Sequence, residues 1–139
     1  MEHIKWRWRH FDTMSAAAWH EVLALRSQVF VVEQECAYQD PDPKDPLCWH
    51  LTGHLGSELV AVMRVVPLGA SYDECSIGRV VVPTALRGQK RGVELMEVGI
   101  NFCESRWNNG IRISGQAYLK GFYEALGFKT VHGPYMEDD

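Results

Sequence analysis

The chain opens on a period of two: Ile4, Trp6 and Trp8 alternate with Lys5, Arg7 and Arg9, which predicts a strand with one face buried. The period then changes. Trp19, Val22, Leu23, Arg26, Val29 and Phe30 recur at steps of three and four behind the N-cap candidates Asp12, Thr13 and Ser15, predicting a helix that fades near residues 31–35. Residues 36–46 carry Pro41, Pro43 and Pro46 with several aspartates and read as a surface loop near any cleft, of the kind that often selects substrate. Strands are expected at 47–55 and 58–66, joined through Gly56 and Ser57 as a hairpin with a II′-type turn, and a third at 74–82. Val93, Met96, Ile100, Cys103 and Trp107, widened by Leu95, Gly99 and Phe102, mark a well-buried helix over 91–107 that Asn108, Asn109 and Gly110 end. A short strand at 111–116, a helix at 121–126 stopped by Gly127 and a return to the sheet at 128–131 complete the pattern. Crossover helices late in the chain imply a mixed, partly parallel sheet, an α+β (mixed α/β) fold.

Composition narrows the class of protein. A chain of 139 residues with 46% hydrophobic content can bury one sizeable core and is read as a single domain, 1–139. The formal net charge of −4 supplies no general drive toward nucleic acid or an anionic membrane. The N-terminal segment lacks the apolar core of a signal peptide, and no run approaches the roughly 18 apolar residues of a membrane span, so a cytoplasmic protein is expected. Cys36, Cys48, Cys75 and Cys103 show no C-x-x-C spacing and read as free thiols, Cys103 as packing on the buried helix.

Against that acidic background one cluster stands out. The strand ending at Val80, Val81 and Val82 meets Pro83, a basic turn (Arg87, Gly88, Gln89, Lys90, Arg91, Gly92) and then the helix. A helix N-terminus exposes unpaired N–H groups and a partial positive charge, so each added cation there is opposed by roughly 0.3–1 kcal/mol. A counter-anion resolves the conflict, and phosphate is the simplest. The plainer alternatives are a solvated helix end and glycines that only serve tight turning. A P-loop is disfavoured, because Gly92 is followed by Val93 and Glu94 where Lys and Ser or Thr are needed. Cys48, His50 and His54 share a strand face, but the two histidines would stand about 13 Å apart, too far for one ion; they read as solvated, hydrogen-bonded or substrate-facing, and no metal is expected.

The order of these pieces carries a resemblance. The strand, the turn Arg87-x-x-Lys90-x-Gly92, the helix after it and the run Gly121, Phe122, Tyr123, Glu124, Ala125, Leu126, Gly127, Phe128 resemble the GNAT superfamily of acyl-CoA-dependent N-acetyltransferases. Phe30 to Gln34, then Tyr38, Gln39 and Asp40, then Ile77, Gly78, Arg79 and Val80, and finally Gly115, Gln116 and Ala117 resemble its ElaA-type branch. Lys90 stands where the superfamily usually has glycine.

The resemblance implies a mixed, splayed sheet flanked by helices, with acetyl-CoA as co-substrate. The coenzyme pyrophosphate would sit on backbone N–H groups of Gln89, Lys90, Arg91, Gly92 and Val93, flanked by Arg87 and Gly88, and the pantetheine arm would pair with Val80, Val81 and Val82. Tyr123 is implied as the acid for the departing thiolate; its unperturbed pKa of about 10 keeps it protonated at neutral pH. Without that context Tyr123 reads as core. Gln116 is a further candidate beside the cofactor, or a helix cap. Glu74 is the candidate base, with Glu33, Asp40, His54 and water as competitors. The implied reaction is direct transfer of acetyl to a primary amine in a ternary complex; the alternative is a non-catalytic acyl-CoA-binding module. Acidic residues between Glu33 and Asp45 favour a cationic small-molecule or peptide amine. GNAT chains generally close the sheet with a final hairpin, and this chain stops at Met136-Glu137-Asp138-Asp139, so either the last strand is trimmed or another element or a second subunit, as in a homodimer, completes the edge.

Overall fold

A computed structural model describes residues 3–35, 37, 39–82, 91–107 and 110–113. Its order is β1 (Lys5–His10), α1 (Ala16–Ser27) continuing as a π-helical segment (Gln28–Glu33), β2 (Trp49–Leu55), β3 (Glu58–Val66), β4 (Cys75–Val81), α2 (Arg91–Arg106) and β5 (Ile111–Ile113). The strands form a five-stranded sheet in sequential order, antiparallel from β1 to β4, with β5 parallel to β4. The mixed sheet predicted from the crossover over 91–107 is therefore present. The expected helix at 121–126 and strand at 128–131, and the expected end of the chain, lie outside the described residues.

Local chemistry explains each element. Ser15 caps α1 by accepting the Ala18 N–H at 3.0 Å, while Asp12 and Thr13 sit in a separate 3-10 turn. Gly56 turns the β2–β3 hairpin at φ +62° with Ser57 outside the left-handed region, as a II′ turn requires.

The two faces of the sheet bury different material. On one, Leu51, Met63, Val65, Cys75 and Ile77 meet Leu95, Met96 and Cys103 of α2, with Trp6, Trp8, Val80 and Val82 packed around them. Trp8 stacks on Phe102 at 3.9 Å between centroids, and the Trp6 indole N–H donates to Glu94 at 3.2 Å. A side chain at Gly99 would run into Met63 Sδ, so glycine lets α2 lie close on β3. On the other face α1 brings Val22 and Val29 onto Val62 and Val81.

Candidate active site

β4 changes parity in its middle. Cys75 and Ile77 face α2, but so do Val80 and Val82, whereas Val81 faces α1. An extra residue makes the switch: Val62 pairs with Val81 and Arg64 with Gly78, so two steps on β3 oppose three on β4. Arg79 stands at the bulge with φ +50°, a left-handed conformation that opposes an L side chain by roughly 1–2 kcal/mol. Unbroken alternation would have aimed its guanidinium into the apolar face beneath α2. The bulge turns it instead toward α1.

There Arg79 enters a buried ionic network that the sequence reading did not foresee. Asp40 accepts Arg26 Nε at 2.8 Å on one carboxylate oxygen and stands 3.0 Å from Arg79 Nε on the other. Arg79 Nη2 also donates to the Asp40 carbonyl at 3.0 Å and to Asp42 at 3.3 Å. Asp45 takes the fork of Arg26 at 2.9 and 3.2 Å, and Arg64 Nη1 bridges Asp42 at 2.8 Å and Asp45 at 3.0 Å. Three arginines from α1, β3 and β4 thus neutralise three aspartates of one loop. All but Asp42 are at most 5% exposed. Burial opposes ionisation of Asp42 and Asp45, but hydrogen bonds from Arg64 and Arg26 outweigh it and hold both carboxyls below the usual range.

Two expectations change accordingly. Much of the loop read as surface is pinned to the protein: Asp40 and Asp45 are buried, and Cys48 Sγ donates to Lys44 O at 3.0 Å, its thiol pushed up to about 12 chiefly by burial. The aspartates at 40, 42 and 45 spend their charge on arginines, so the inference of a cationic acceptor loses them. His50, read as solvated, is 1% exposed; its Nε2 donates to the Asp45 carbonyl at 3.0 Å, and burial lowers its pKa to about 4. A signal for the network was available. Arg26, Arg64 and Arg79 each interrupt an apolar stripe or run, and a buried cation needs a buried anion.

Of the expected site residues, Val80, Val81 and Val82 form the end of β4 and its continuation, and α2 begins at Arg91, with Gly92 and Val93 following. Among the described residues β5 pairs with β4 only over Cys75–Ile77, so Gly78–Val81 runs beyond that ladder. Arg87, Gly88, Gln89, Lys90, Gln116 and Tyr123 lie outside the described residues. Glu74 precedes β4, six positions before Val80 and so about 20 Å away along an extended chain. Its carboxylate is 3.4 Å from Arg112, and its own backbone N–H together with Arg112 holds it below the usual range. Asp40 is engaged on both oxygens, Glu33 is exposed at the end of the π-helical segment, and His54 sits half-buried opposite Leu59 on β2. Among the described residues no group of three His, Cys, Asp or Glu could hold a metal, and no helix is long and apolar enough to cross a membrane.

Comparisons with known proteins agree with this geometry. The model of the acetyltransferase (GNAT) domain matches residues 54–139. A UPF0039 protein of Synechocystis is 41% identical over 134 residues, covering 95% of this chain and 87% of its own. The protein ElaA of Escherichia coli is 38% identical over 138 residues, covering 97% and 90%, and its crystal structure superposes with a TM-score of 0.91 over 98% of this chain and 94% of that one. An acyl-CoA N-acyltransferase from Pseudomonas aeruginosa superposes equally well, TM-score 0.91 at 34% identity, over 99% and 94%. A strand that bulges and then outruns its parallel neighbour before a long helix is thus set in a fold shared from end to end with these proteins, and the chain belongs to the GNAT acetyltransferase family, in its ElaA-like branch.

Proposed function

We propose that the protein transfers an acetyl group from acetyl-CoA to a primary amine by direct attack in a ternary complex. The observation that carries this reading is the course of β4: past the bulge, backbone from Val80 to Val82 continues beyond the described ladder with β5 and leads toward the N-terminus of α2. Such a segment offers amide groups to a pantetheine arm and to a thioester oxygen, whose developing negative charge fixed N–H donors stabilise. The pyrophosphate is assigned to the turn Arg87, Gly88, Gln89 and Lys90 and to the first residues of α2, Arg91, Gly92 and Val93, where helix polarity and cationic side chains both favour an anion. Gln116 is placed beside the cofactor. Tyr123 is assigned as the acid that protonates the departing thiolate.

Glu74 is held as a carboxylate, the form that accepts a proton, but from its position it reaches the amine only through water. The amine's proton therefore leaves through solvent in this reading. Turnover is measured as free thiol released from acetyl-CoA across a panel of primary amines, with coenzyme binding measured by calorimetry. Tyr123→Phe should lower kcat by about 10²-fold or more while acetyl-CoA binding is kept, within the usual range for general acid catalysis. Glu74→Gln should lower it less than tenfold; a hundredfold loss would put that carboxylate in direct contact with substrate. Coenzyme binding without thiol release for any amine would leave a binding module in place of an enzyme.

A further inference from the structure

We propose that Arg79 is a positioning residue for acyl transfer: held by Asp40 and Asp42, its guanidinium locks the bulge of β4, so that the loop carrying those aspartates sets which amides of residues 80–82 face the acyl group. The inference rests on the reading of β4 as the acyl-carrying strand. Along a strand, successive N–H groups point to alternate sides. The extra residue between Gly78 and Val81 therefore decides which of the following amides turn toward β3 and which away from it.

Arg79 is fitted to this task and poorly explained by anything else. Glu35 and Arg79 are the only described residues other than glycine with positive φ. Glu35 ends a helix, where that conformation is ordinary, but Arg79 lies inside a strand. A conformation of that kind persists only when its surroundings over-determine it. Here the Asp40 carboxylate, the Asp40 carbonyl and the Asp42 carboxylate all hold one guanidinium, and Arg26 and Arg64 hold the same loop from two other elements. Stability alone does not call for such an arrangement, because a well-packed apolar replacement of a buried ion network is often neutral or stabilising. Directional grip on a backbone is what an apolar replacement would not supply.

The test compares Arg79→Lys, which keeps the charge but loses the fork, with Arg64→Lys, which loosens the same loop at Asp42 and Asp45 and leaves Asp40 on Arg79. Steady-state kinetics with acetyl-CoA and the best amine of the panel should show kcat lowered at least tenfold in Arg79→Lys, with KM for acetyl-CoA changed less than threefold. In Arg64→Lys kcat should stay within threefold although its melting temperature falls. Equal kcat losses in the two variants, or a kcat within threefold in Arg79→Lys, would overturn the proposal by reducing the clamp to loop stability. If Arg79→Lys gives no cooperative melt, the paired variant Arg79→Gln with Asp40→Asn, which keeps a neutral hydrogen bond between the two positions, is read in its place by the same criteria. Should the wild-type protein turn over no amine, the acyl-transfer reading fails on its own. Amide hydrogen exchange at Val80 and Val81 then still decides the clamp: tenfold faster exchange in Arg79→Lys than in Arg64→Lys supports it, and equal rates reject it.

Discussion

The two faces of the sheet are built on opposite principles. Beneath α2, Leu51, Met63, Val65, Ile77, Leu95 and Met96 fill space with hydrocarbon and thioether, whose attraction has no preferred direction. On the α1 side, beyond the apolar contacts of Val22, Val29, Val62 and Val81, Arg26, Arg64 and Arg79 meet Asp40, Asp42 and Asp45 through bonds that fix distance and angle at once. The contrast teaches where this protein tolerates change. An apolar layer re-forms around a substituted side chain of similar volume. A ring of paired charges does not, since each member removed leaves another buried and uncompensated.

The largest effect should follow from breaking the network. Arg26→Ala strips partners from both Asp40 and Asp45 and should lower unfolding free energy by about 3–5 kcal/mol in a urea melt. A loss under about 1 kcal/mol would show that solvent reaches the site.

Acid should produce the next largest effect, again on the charged face. His50 titrates at about 4 in the folded protein against about 6.5 unfolded, so between those values the unfolded state binds more protons and stability rises with pH. Going from pH 7 to pH 4.5, the wild-type protein should lose about 2–3 kcal/mol more than His50→Gln does, by the same melts. Asp42 and Asp45 titrate below the unfolded carboxylate value, so their contribution is present above about pH 4 and is lost as acid carries the solution through their lowered folded values.

The smallest effect belongs to the apolar face. Leu51→Met conserves volume and should cost less than about 1.5 kcal/mol, whereas Arg26→Lys, nominally as conservative, loses a two-pronged grip and should cost more. Equal losses would erase the distinction between the faces.

Much of the framework was legible beforehand because it depends on near neighbours. The strand at 58–66 and the start of the helix at residue 91 coincide with the expected bounds, and the hairpin turn has the geometry its Gly-Ser pair implies. The bulge was not legible. Val80, Val81 and Val82 read as one continuous apolar strand, and the parity switch shows only once their partners on both faces are known. The loop misled for a related reason: proline and aspartate spell turn chemistry locally, yet these aspartates answer arginines on other elements.

By itself the sequence determined the periodicities, the caps and turns, and the marks of a GNAT acetyltransferase, all of which depend on contacts or motifs a few residues long. Only the tertiary structure decided which aspartate meets which arginine and that β4 breaks its alternation at Arg79. The physical reason is separation along the chain: Arg26 and Arg79 converge on Asp40 from 14 and 39 positions away, and no local pattern states which of the buried charges will close such distances.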